Sequence, residues 1–385
     1  MTLASGTNVS LWYVRETTHG TTPSTPTLKA LRAITRNLGL EKDILASEEV
    51  RPSRQRADVR HGFNRVTGSI EAQLSVTDFD DAFEDALGGT WAAVTTAGSP
   101  DISVASNVII RATGNWINDG YRVGDIIAAS NFTQSANDGL HRVTALTSTN
   151  MTVAETLTDE GSGAGKTVVL QGKRLDVGTT LYTNTYQRKF SDITKYQVTR
   201  GVTTNQLRLS FAPERIIRLT LDLLGMSGAA SSGSTISGAT EVPASTNPPL
   251  ANFEGTILIG GTTNGFVTDA EFGINNQRRL QAVIGSRFSP DVFDGTAIVE
   301  GRLTFITEDL SVYDLFFNET ESSVWIKANE PGASAAFLDF KLYRVKFNGD
   351  RIDPAQEGPV FEEVNFEALE SSTYGTALSI QRSNS

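Results

Sequence analysis

Alternating hydrophobic and polar positions dominate this chain of 385 residues. Runs rich in β-branched and aromatic residues, bounded by glycine, proline or asparagine, are typical of strands that bury one face. Gly260-Gly261 predicts a tight turn beside one of these runs. The predicted strands are residues 203–211, 215–224, 255–260, 337–347 and 360–369. The pattern therefore predicts a mainly β protein.

Two segments have helical spacing instead. In the first, Thr77 is the predicted N-cap and Gly88-Gly89 the predicted end of an apolar stripe made of Phe79, Ala82, Phe83, Ala86 and Leu87. In the second, Thr307 is the predicted N-cap of a stripe made of Leu310, Tyr313, Phe316 and Phe317. We therefore expect two β-sandwiches or barrels, each with one short helix packed on it.

A weak internal repeat links the two helical regions. Residues 66–70, which read VTGSI, match residues 299–303, which read VEGRL, at a spacing of 233 positions. An amphipathic segment follows each match and leads to a tryptophan, Trp91 in one case and Trp325 in the other. The order of these features predicts a duplicated domain, with chance similarity between β-rich segments as the alternative.

Farther along the chain the spacing of the repeat changes. Arg200 matches Arg344 best, and residues 219–223 (LTLDL) match residues 364–368 (VNFEA), at spacings of 144 to 145. The difference of about 89 positions is what an extra domain after Trp91 would produce. The short predicted strands around 121–127 and 141–146, with a turn at Asn137-Asp138-Gly139, suit a small barrel or sandwich there.

These spacings predict four parts in the chain. The first domain comprises residues 1–91 and 178–226, with an N-terminal arm and a long loop at 41–65. Residues 92–177 form an inserted small all-β domain. A linker rich in Gly, Ser, Thr and Pro follows at 227–250. Residues 251–385 form the second copy of the first domain, and we expect the insert to project outward.

Charge is distributed unevenly along the chain, whose net charge is −11. Residues 1–66 contain ten Lys/Arg and six Asp/Glu, whereas residues 240–385 contain ten and twenty-one. A basic end and an acidic end can steer association between copies of one protein, unless the difference is a chance fluctuation on solvated surface. The most concentrated basic stretch contains Arg51, Arg54, Arg56 and Arg60.

No aromatic residue is interleaved with these four arginines to stack nucleic acid bases. We therefore predict that they form an extended arm that docks on an acidic neighbouring subunit, in preference to nucleic acid.

The sequence offers little catalytic chemistry. Without cysteine, and with only three scattered histidines, it lacks thiol nucleophiles and thiolate metal sites. Residues 161–167 resemble a phosphate-binding loop, but Glu160 replaces its first glycine and a strand follows, so a flexible glycine-rich hairpin is predicted. A carboxylate cluster on the first helix is predicted to be a solvated face; its members are Asp78, Asp80, Asp81, Glu84 and Asp85.

We accordingly predict no catalytic residue, no cofactor and no metal site. No apolar run is long enough to span a bilayer, and the N-terminus lacks the features of a signal peptide. The expected site of folding is a cytosol.

Several segments carry a family resemblance through their order and spacing. They are residues 47–55 (SEEVRPSRQ), Val66-x-Gly68-x-Ile70, residues 79–88 (FDDAFEDALG), Tyr196-x-Val198-x-Arg200-Gly201-Val202 and residues 344–347 (RVKF). In these segments the chain resembles the major tail tube proteins of siphophages, the long-tailed bacteriophages with non-contractile tails. The resemblance covers most of the chain outside the insert, although each motif is degenerate.

The resemblance implies a structural virion protein that assembles in the host cytoplasm and is not an enzyme. Sheets of neighbouring subunits would join into a β-barrel around a channel through which DNA passes without sequence-specific binding. Long loops and the N-terminal arm would bridge stacked rings. Tape measure, tail terminator and distal tail proteins are the implied partners, and no membrane is involved.

Two domains in each chain would allow three chains to close a ring with pseudo-sixfold symmetry. A hexamer of single-domain subunits is the alternative if the repeat is spurious. A different function also remains open at the sequence level, namely a β-sandwich module of a virion that binds a host surface or a carbohydrate. A β-rich glycan hydrolase is disfavoured because no paired acid and nucleophile are evident.

Overall fold

A computed structural model describes residues 3–252, 255–263, 266–330, 336–353 and 358–384. The outermost residues of the two predicted tube domains, Met1, Thr2 and Ser385, lie outside the described residues. So do four internal stretches of the predicted second domain, at residues 253–254, 264–265, 331–335 and 354–357.

Strands make up most of the regular structure. The N-terminal part contains β1 (Val9–Arg15), β2 (Thr27–Ala30), β3 (Thr35–Ala46), β4 (Val59–Gln73) and the helix α1 (Asp80–Leu87). The next part contains β5 (Ile102–Ala105), β6 (Val108–Arg111), β7 (Ile126–Ser130), β8 (Gly139–Leu146), β9 (Asn150–Val153), β10 (Glu160–Gly163) and β11 (Thr167–Leu170). It is followed by β12 (Lys173–Asp176), β13 (Asn184–Phe190), β14 (Lys195–Phe211), β15 (Arg218–Gly225), β16 (Ser227–Gly228) and β17 (Thr240–Val242).

The C-terminal part begins with five strands, β18 (Thr256–Ile259), β19 (Thr262–Thr263), β20 (Val267–Asn275), β21 (Arg279–Leu280) and β22 (Val292–Phe293). It continues with β23 (Ile298–Ile306), the helix α2 (Ser311–Phe317), β24 (Ser322–Asn329), β25 (Phe337–Asp353), β26 (Phe361–Ala368) and β27 (Ser379–Arg382). The five strands predicted in the two halves are present, and Gly260-Gly261 connects the paired strands β18 and β19 as predicted. The strand predicted at 141–146 is β8, but of residues 121–127 only Ile126 and Ile127 lie in a strand, β7.

The two halves repeat one antiparallel arrangement. In the first half the strands lie side by side in the order β1-β13-β14-β15-β4-β3, and in the second half in the order β18-β24-β25-β26-β23-β20. The corresponding strands follow one another in the same order along the chain, and α1 and α2 each lie between the third and the fourth of them. The predicted duplication of a mainly β fold is therefore confirmed.

Irregularities in the strands fix which residues correspond. Asn205 is an extra residue in the pairing of β14 with β15, and Asn348 is an extra residue in the pairing of β25 with β26, 143 positions later. Gly68 lies opposite Leu223, and Gly301 lies opposite Phe366. A side chain on either glycine would collide with the neighbouring strand, so both positions keep the small residue.

This correspondence corrects two details of the sequence comparison. Leu223 matches Phe366 and not Ala368, so the spacing predicted for these strands was wrong by two positions. Trp325 lies in β24 opposite Lys341, whereas Trp91 follows α1, so the two tryptophans are not equivalent. The match between residues 66–70 and 299–303 holds at its predicted spacing.

The helix starts also differ from the prediction. α1 begins at Asp80 and α2 at Ser311, and neither Thr77 nor Thr307 caps them. Thr77 instead has a positive φ of 69°, and its backbone oxygen accepts a hydrogen bond from Asp80 N. At α2 the Asp309 carboxylate accepts one from Ser311 N. The end of α1 at Gly88, which has a left-handed conformation, is as predicted.

Residues 102–170 form a separate sheet in the order β10-β5-β6-β9-β8-β7-β11. Its own hydrophobic core contains Trp116, Tyr121, Ile127 and Met151. The halves, by contrast, share one core. This agrees with a small all-β unit within the first half, although the exact domain limits stay a prediction. Residues 227–250, predicted to be a linker, run along the first half, where β16 pairs with β14 and β17 pairs with β2.

Candidate assembly surfaces

The two halves join edge to edge through β14 and β20. These strands pair antiparallel from Gln206 opposite Asn275 to Phe211 opposite Ala270. Under the joint, Phe211 stacks on Phe272 with ring centroids 5.8 Å apart. One continuous sheet with one core therefore crosses the boundary between the halves.

The strands β25 and β3 correspond to the two strands of this joint. Within the described ranges, the matching edge of each is unpaired. In the second half, residues 349–353 of β25 correspond to residues 206–210 of β14, because both follow the asparagine bulge. They pair with β26 on one side, and no described strand pairs with their other side. In the first half, β3 corresponds to β20 and pairs, within the described ranges, with β4 alone. The chain thus presents two edges of the kinds that already fit together inside it.

The outer edge of β3 is not bare. Arg188 on β13 donates from Nη2 to the carbonyl oxygens of Arg36 and Leu38, at 2.7 and 2.9 Å. Its burial, and the nearby Arg36, lower the pKa of Arg188. A side chain that occupies edge carbonyls is one way in which proteins protect a free strand edge from wrong pairing.

Helix α1 is covered by two arginines from the second half. Arg278, which follows β20, lies 3.3 Å from the Asp85 carboxylate and donates to the backbone oxygens of Asp85 and Thr204. Arg382 on β27 lies 2.8 Å from the Asp80 carboxylate. Burial raises the pKa of Asp80 to about 6, and Arg382 opposes that shift.

The carboxylates of α1 are therefore not the solvated face that the sequence predicted. Glu84 and Asp85 are buried, and all five acids of the cluster are paired with cations. Asp78 pairs with Arg32, Asp80 with Arg382, Asp81 with Lys29 and Arg15, Glu84 with Arg15, and Asp85 with Arg278. A helix pattern cannot reveal cations that come from distant parts of the chain.

Helix α2 has no such cover among the residues that the structure describes. Val312 and Phe316 contact the core as Phe79 and Phe83 do in α1, which aligns the two helices. The face that α1 buries is exposed in α2, where Phe317 is 70% accessible. Tyr313 stacks on Phe317 with centroids 6.1 Å apart, and Leu310 is exposed beside them. We call Leu310, Tyr313 and Phe317 the α2 patch.

A family model described as phage tail tube protein matches residues 6–368. The chain belongs to the phage tail tube protein family. The match spans both halves and the small sheet, so the chain is a structural component of the phage tail, and its family is not an enzyme class. No curated protein matches the chain.

The predicted arm arginines of this tail tube protein lie at the end of the β3–β4 hairpin. Arg51, Arg54, Arg56 and Arg60 are all exposed. Arg51 pairs with Glu49 at 2.8 Å and Arg60 with Asp58 at 3.4 Å. The structure brings the four into one hairpin end but gives Arg54 and Arg56 no ion pair among the described residues. Their contact with a neighbouring subunit stays a prediction.

The small sheet of the tail tube protein docks on the second half. Lys341 on β25 is fully buried and lies 2.9 Å from the Asp125 carboxylate of the small-sheet unit. Arg174 also pairs with Asp125 at 2.9 Å, and Arg142 pairs with the buried Asp339 at 3.2 Å. Burial lowers the pKa of Lys341, and both carboxylates oppose that change. The insert is therefore held at its base by buried charges.

Sequence reasoning missed these charges. Asp339 and Lys341 alternate with Leu338, Phe340 and Leu342 in β25, which resembles an ordinary strand with one wet face. Opposite charges two residues apart on a strand share a face, and this spacing was the available signal of a covered polar face.

No chemical centre emerges in the described part of the tail tube protein. It contains no group of three or more His, Cys, Asp or Glu residues arranged to hold a metal. Lys166 of the glycine-rich segment pairs with Glu160 and donates to the Gly161 and Ile102 oxygens. The flanking strands β10 and β11 pair with β5 and β7, so the predicted hairpin was wrong. No helix in the described ranges has the length and hydropathy of a membrane span.

Proposed function

We propose that three copies of this chain close into a ring of six tube domains, and that such rings stack into the conduit for DNA ejection. The observation that carries the proposal is the joint between β14 and β20, whose two component edges recur unpaired at the outer ends of the chain. Pairing β25 of one copy with β3 of the next repeats that joint between molecules and leaves neither of these two edges unpaired in the ring.

The internal correspondence predicts the register of the intermolecular joint. Gln206 lies opposite Asn275 within the chain, so Gly349 would lie opposite Glu41 of the next copy. By the same step Asp353 would lie opposite Asn37. The edges run antiparallel, as within the chain, and Arg188 would have to share or yield the carbonyl oxygens that it caps.

The solvent face of the joined sheet suits a channel for DNA. Along the strands on both sides of the internal joint, most residues on this face are polar, with Leu224, Ile298 and Phe361 as exceptions, while the opposite face forms the core. Acidic side chains outnumber basic ones there, which would limit adhesion of a polyanion. The acids are Glu41, Glu71, Asp222, Asp269, Glu271, Glu300, Glu363 and Glu367, and the bases are Arg65, Arg208, Arg218, Arg302, Lys346 and Arg351.

The remaining contacts extend the proposal along the tube. The arginine-bearing hairpin end would dock on an acidic surface of another subunit. Tape measure, tail terminator and distal tail proteins would contact the lumen and the two ends of the tube. Assembly would take place in the host cytoplasm, and a siphophage tail is the expected context.

Electron microscopy of the purified full-length chain, combined with native mass spectrometry, tests the proposal. We expect rings or tubes with a central hole, six lobes per ring and three chains in the smallest closed species. Rings of six chains would contradict the duplicated arrangement. Monodisperse monomers at all concentrations tested would contradict a self-assembling tube subunit.

A further inference from the structure

The α2 patch is an apolar surface whose counterpart in the same chain is covered. On α1, the residues equivalent to Tyr313 and Phe317 are Asp80 and Glu84, which lie under Arg382 and Arg15. The second half of the chain supplies the cover over the C-terminal end of α1 through Arg278 and Asn276, whose Nδ2 donates to Ala86 O. No described residue covers Phe317 in that way.

The segment that covers α1 has a counterpart with no such role inside the chain. Residues 276–297 leave β20 after its joint with β14 and return as β23. Residues 42–64 leave the corresponding point of β3, form the distal part of the β3–β4 hairpin and return in β4. The two segments have nearly equal lengths and the same place in the fold, but the first folds over a helix and the second extends into solvent.

Arg278 lies three residues past Asn275, the last residue of β20 in the joint. Ile44 lies three residues past Glu41, the residue of β3 that corresponds to Asn275, so Ile44 is the equivalent position. Ile44 and its neighbour Leu45 are exposed, at 64% and 62%. The position in α2 equivalent to Asp85 is Asn318, which directly follows the exposed Phe317. At this place the first half has an ion pair between Arg278 and Asp85, whereas Ile44 and the α2 patch are uncharged.

We propose that Ile44 and Leu45, near the C-terminal end of β3, cover the α2 patch of the adjacent copy in the same ring. This inference rests on the proposed ring, because the joint between β25 and β3 is what brings the two surfaces together. Ile44 and Leu45 then make a lateral contact within a ring, and Arg51, Arg54 and Arg56, in the loop beyond β3, are left for contacts farther away. Burial of these exposed side chains contributes through the hydrophobic effect.

Disulfide trapping tests the contact directly, because the native sequence contains no cysteine. The full-length variant I44C/F317C is assembled under reducing conditions, oxidised and run on a denaturing gel without reductant. A contact within the ring links each chain to the next until the circle closes, so we expect a covalent product that stops at the trimer. A ladder that continues beyond the trimer would place the contact between rings and overturn the proposal.

A matched pair, V50C/F317C, controls for accidental oxidation, since Val50 is fully exposed at the hairpin end. We expect little cross-linking of this pair. If electron microscopy shows tubes of I44C/F317C but no covalent product forms, the lateral contact is wrong while the tube function stands. If the wild type itself forms no rings, the proposed function fails instead.

A second variant covers the case in which the double cysteine chain does not assemble. Phe317→Asp places a charge on the patch, and because Phe317 is exposed we expect an unchanged unfolding midpoint for the unassembled chain. Assembly should require about tenfold more protein, the size expected for losing burial of one aromatic side chain. Ile117→Asp, at an exposed position of the small-sheet unit, is the control. Assembly of Phe317→Asp at the wild-type concentration would overturn the contact.

Discussion

Arg278 and Asp85 form a buried ion pair between the segment after β20 and helix α1, with 3.3 Å between Nη1 and Oδ1. The Asp85 carboxylate also accepts hydrogen bonds from Thr203 Oγ1 and from Thr204 N and Oγ1, at 2.8 to 2.9 Å. The pair ties the second half of the chain to the helix of the first half.

Replacing Arg278 with methionine should destabilise the unassembled chain by about 3–5 kcal/mol, because it leaves a buried carboxylate without its cation. Urea unfolding measures this loss. Arg60→Met removes an exposed ion pair with Asp58 and should change stability by less than about 1 kcal/mol. Equal effects of the two changes would contradict the importance assigned to burial.

Lys341→Met should likewise lower the free energy of unfolding by about 3–5 kcal/mol, since it removes the cation between the buried Asp125 and Asp339 carboxylates. Because Asp125 belongs to the small-sheet unit, the change should also loosen that unit from β25. Hydrogen exchange of β7 and β25 measures the loosening, with the exposed Lys195→Met as the control. Unchanged protection of both strands would count against the docking role.

Asp80 gives the unassembled chain a specific pH dependence. Its pKa is raised to about 6, mainly by burial, from a usual value near 3.8. A raised pKa of an acid means that the protonated form is favoured in the folded state, so the stabilising contribution is complete below about pH 4 and is lost as the pH rises through 6. The free energy of unfolding of Asp80→Asn, taken relative to that of the wild type, should therefore be higher at pH 8 than at pH 4.

Urea unfolding at those two pH values checks the sign of this effect. Asp101→Asn, at an exposed position, should show no such difference between the two pH values. A relative stability of Asp80→Asn that is the same at pH 4 and pH 8 would show that the folded state does not raise the pKa of Asp80.

Leu40→Pro should impair ring closure while sparing the hairpin. The carbonyls of Arg36 and Leu38 point to the outer edge of β3, where Arg188 binds them, so Leu40 N, two residues on, points outward as well. Proline there removes a hydrogen bond donor to the next copy but none to β4. Sedimentation should show a loss of rings, and circular dichroism should show unchanged strand content; normal tubes would contradict the predicted joint.

The double substitution R54E/R56E tests the arm. Both side chains are exposed without an ion pair among the described residues, so the unfolding midpoint of the variant should stay at the wild-type value. If the hairpin end docks on an acidic surface, the reversed charges should shorten or abolish tubes in electron micrographs. Lys195→Glu is the control for an added negative charge, and wild-type tube lengths in R54E/R56E would exclude the docking role.

The sequence was sufficient for the fold class because each buried strand alternates or runs apolar, as in residues 203–211 and 337–347. It was also sufficient to predict the duplication, because Gly68 and Gly301 occupy equivalent positions at which the neighbouring strand leaves no room for a side chain. The later strands were harder to align, since Leu223, Phe366 and Ala368 are all apolar and side-chain type alone cannot fix register.

The buried charges could not be read in the same way. Asp85 and Arg278 are 193 positions apart, and Asp125 and Lys341 are 216 positions apart. Each of these residues looks solvated in its own segment, because a local pattern contains no information about which distant element covers it. The exposed α2 patch was predicted as part of a core-facing stripe for the same reason: no described residue of the chain covers it.

The internal joint between β14 and β20 also limits the errors that assembly can make. Two units held in one polypeptide meet at a high effective concentration and need no collision between molecules. The proposed ring could then gain or lose units only in pairs, so closed rings of five or seven units would not form. The width of its bore would change only in steps of two units.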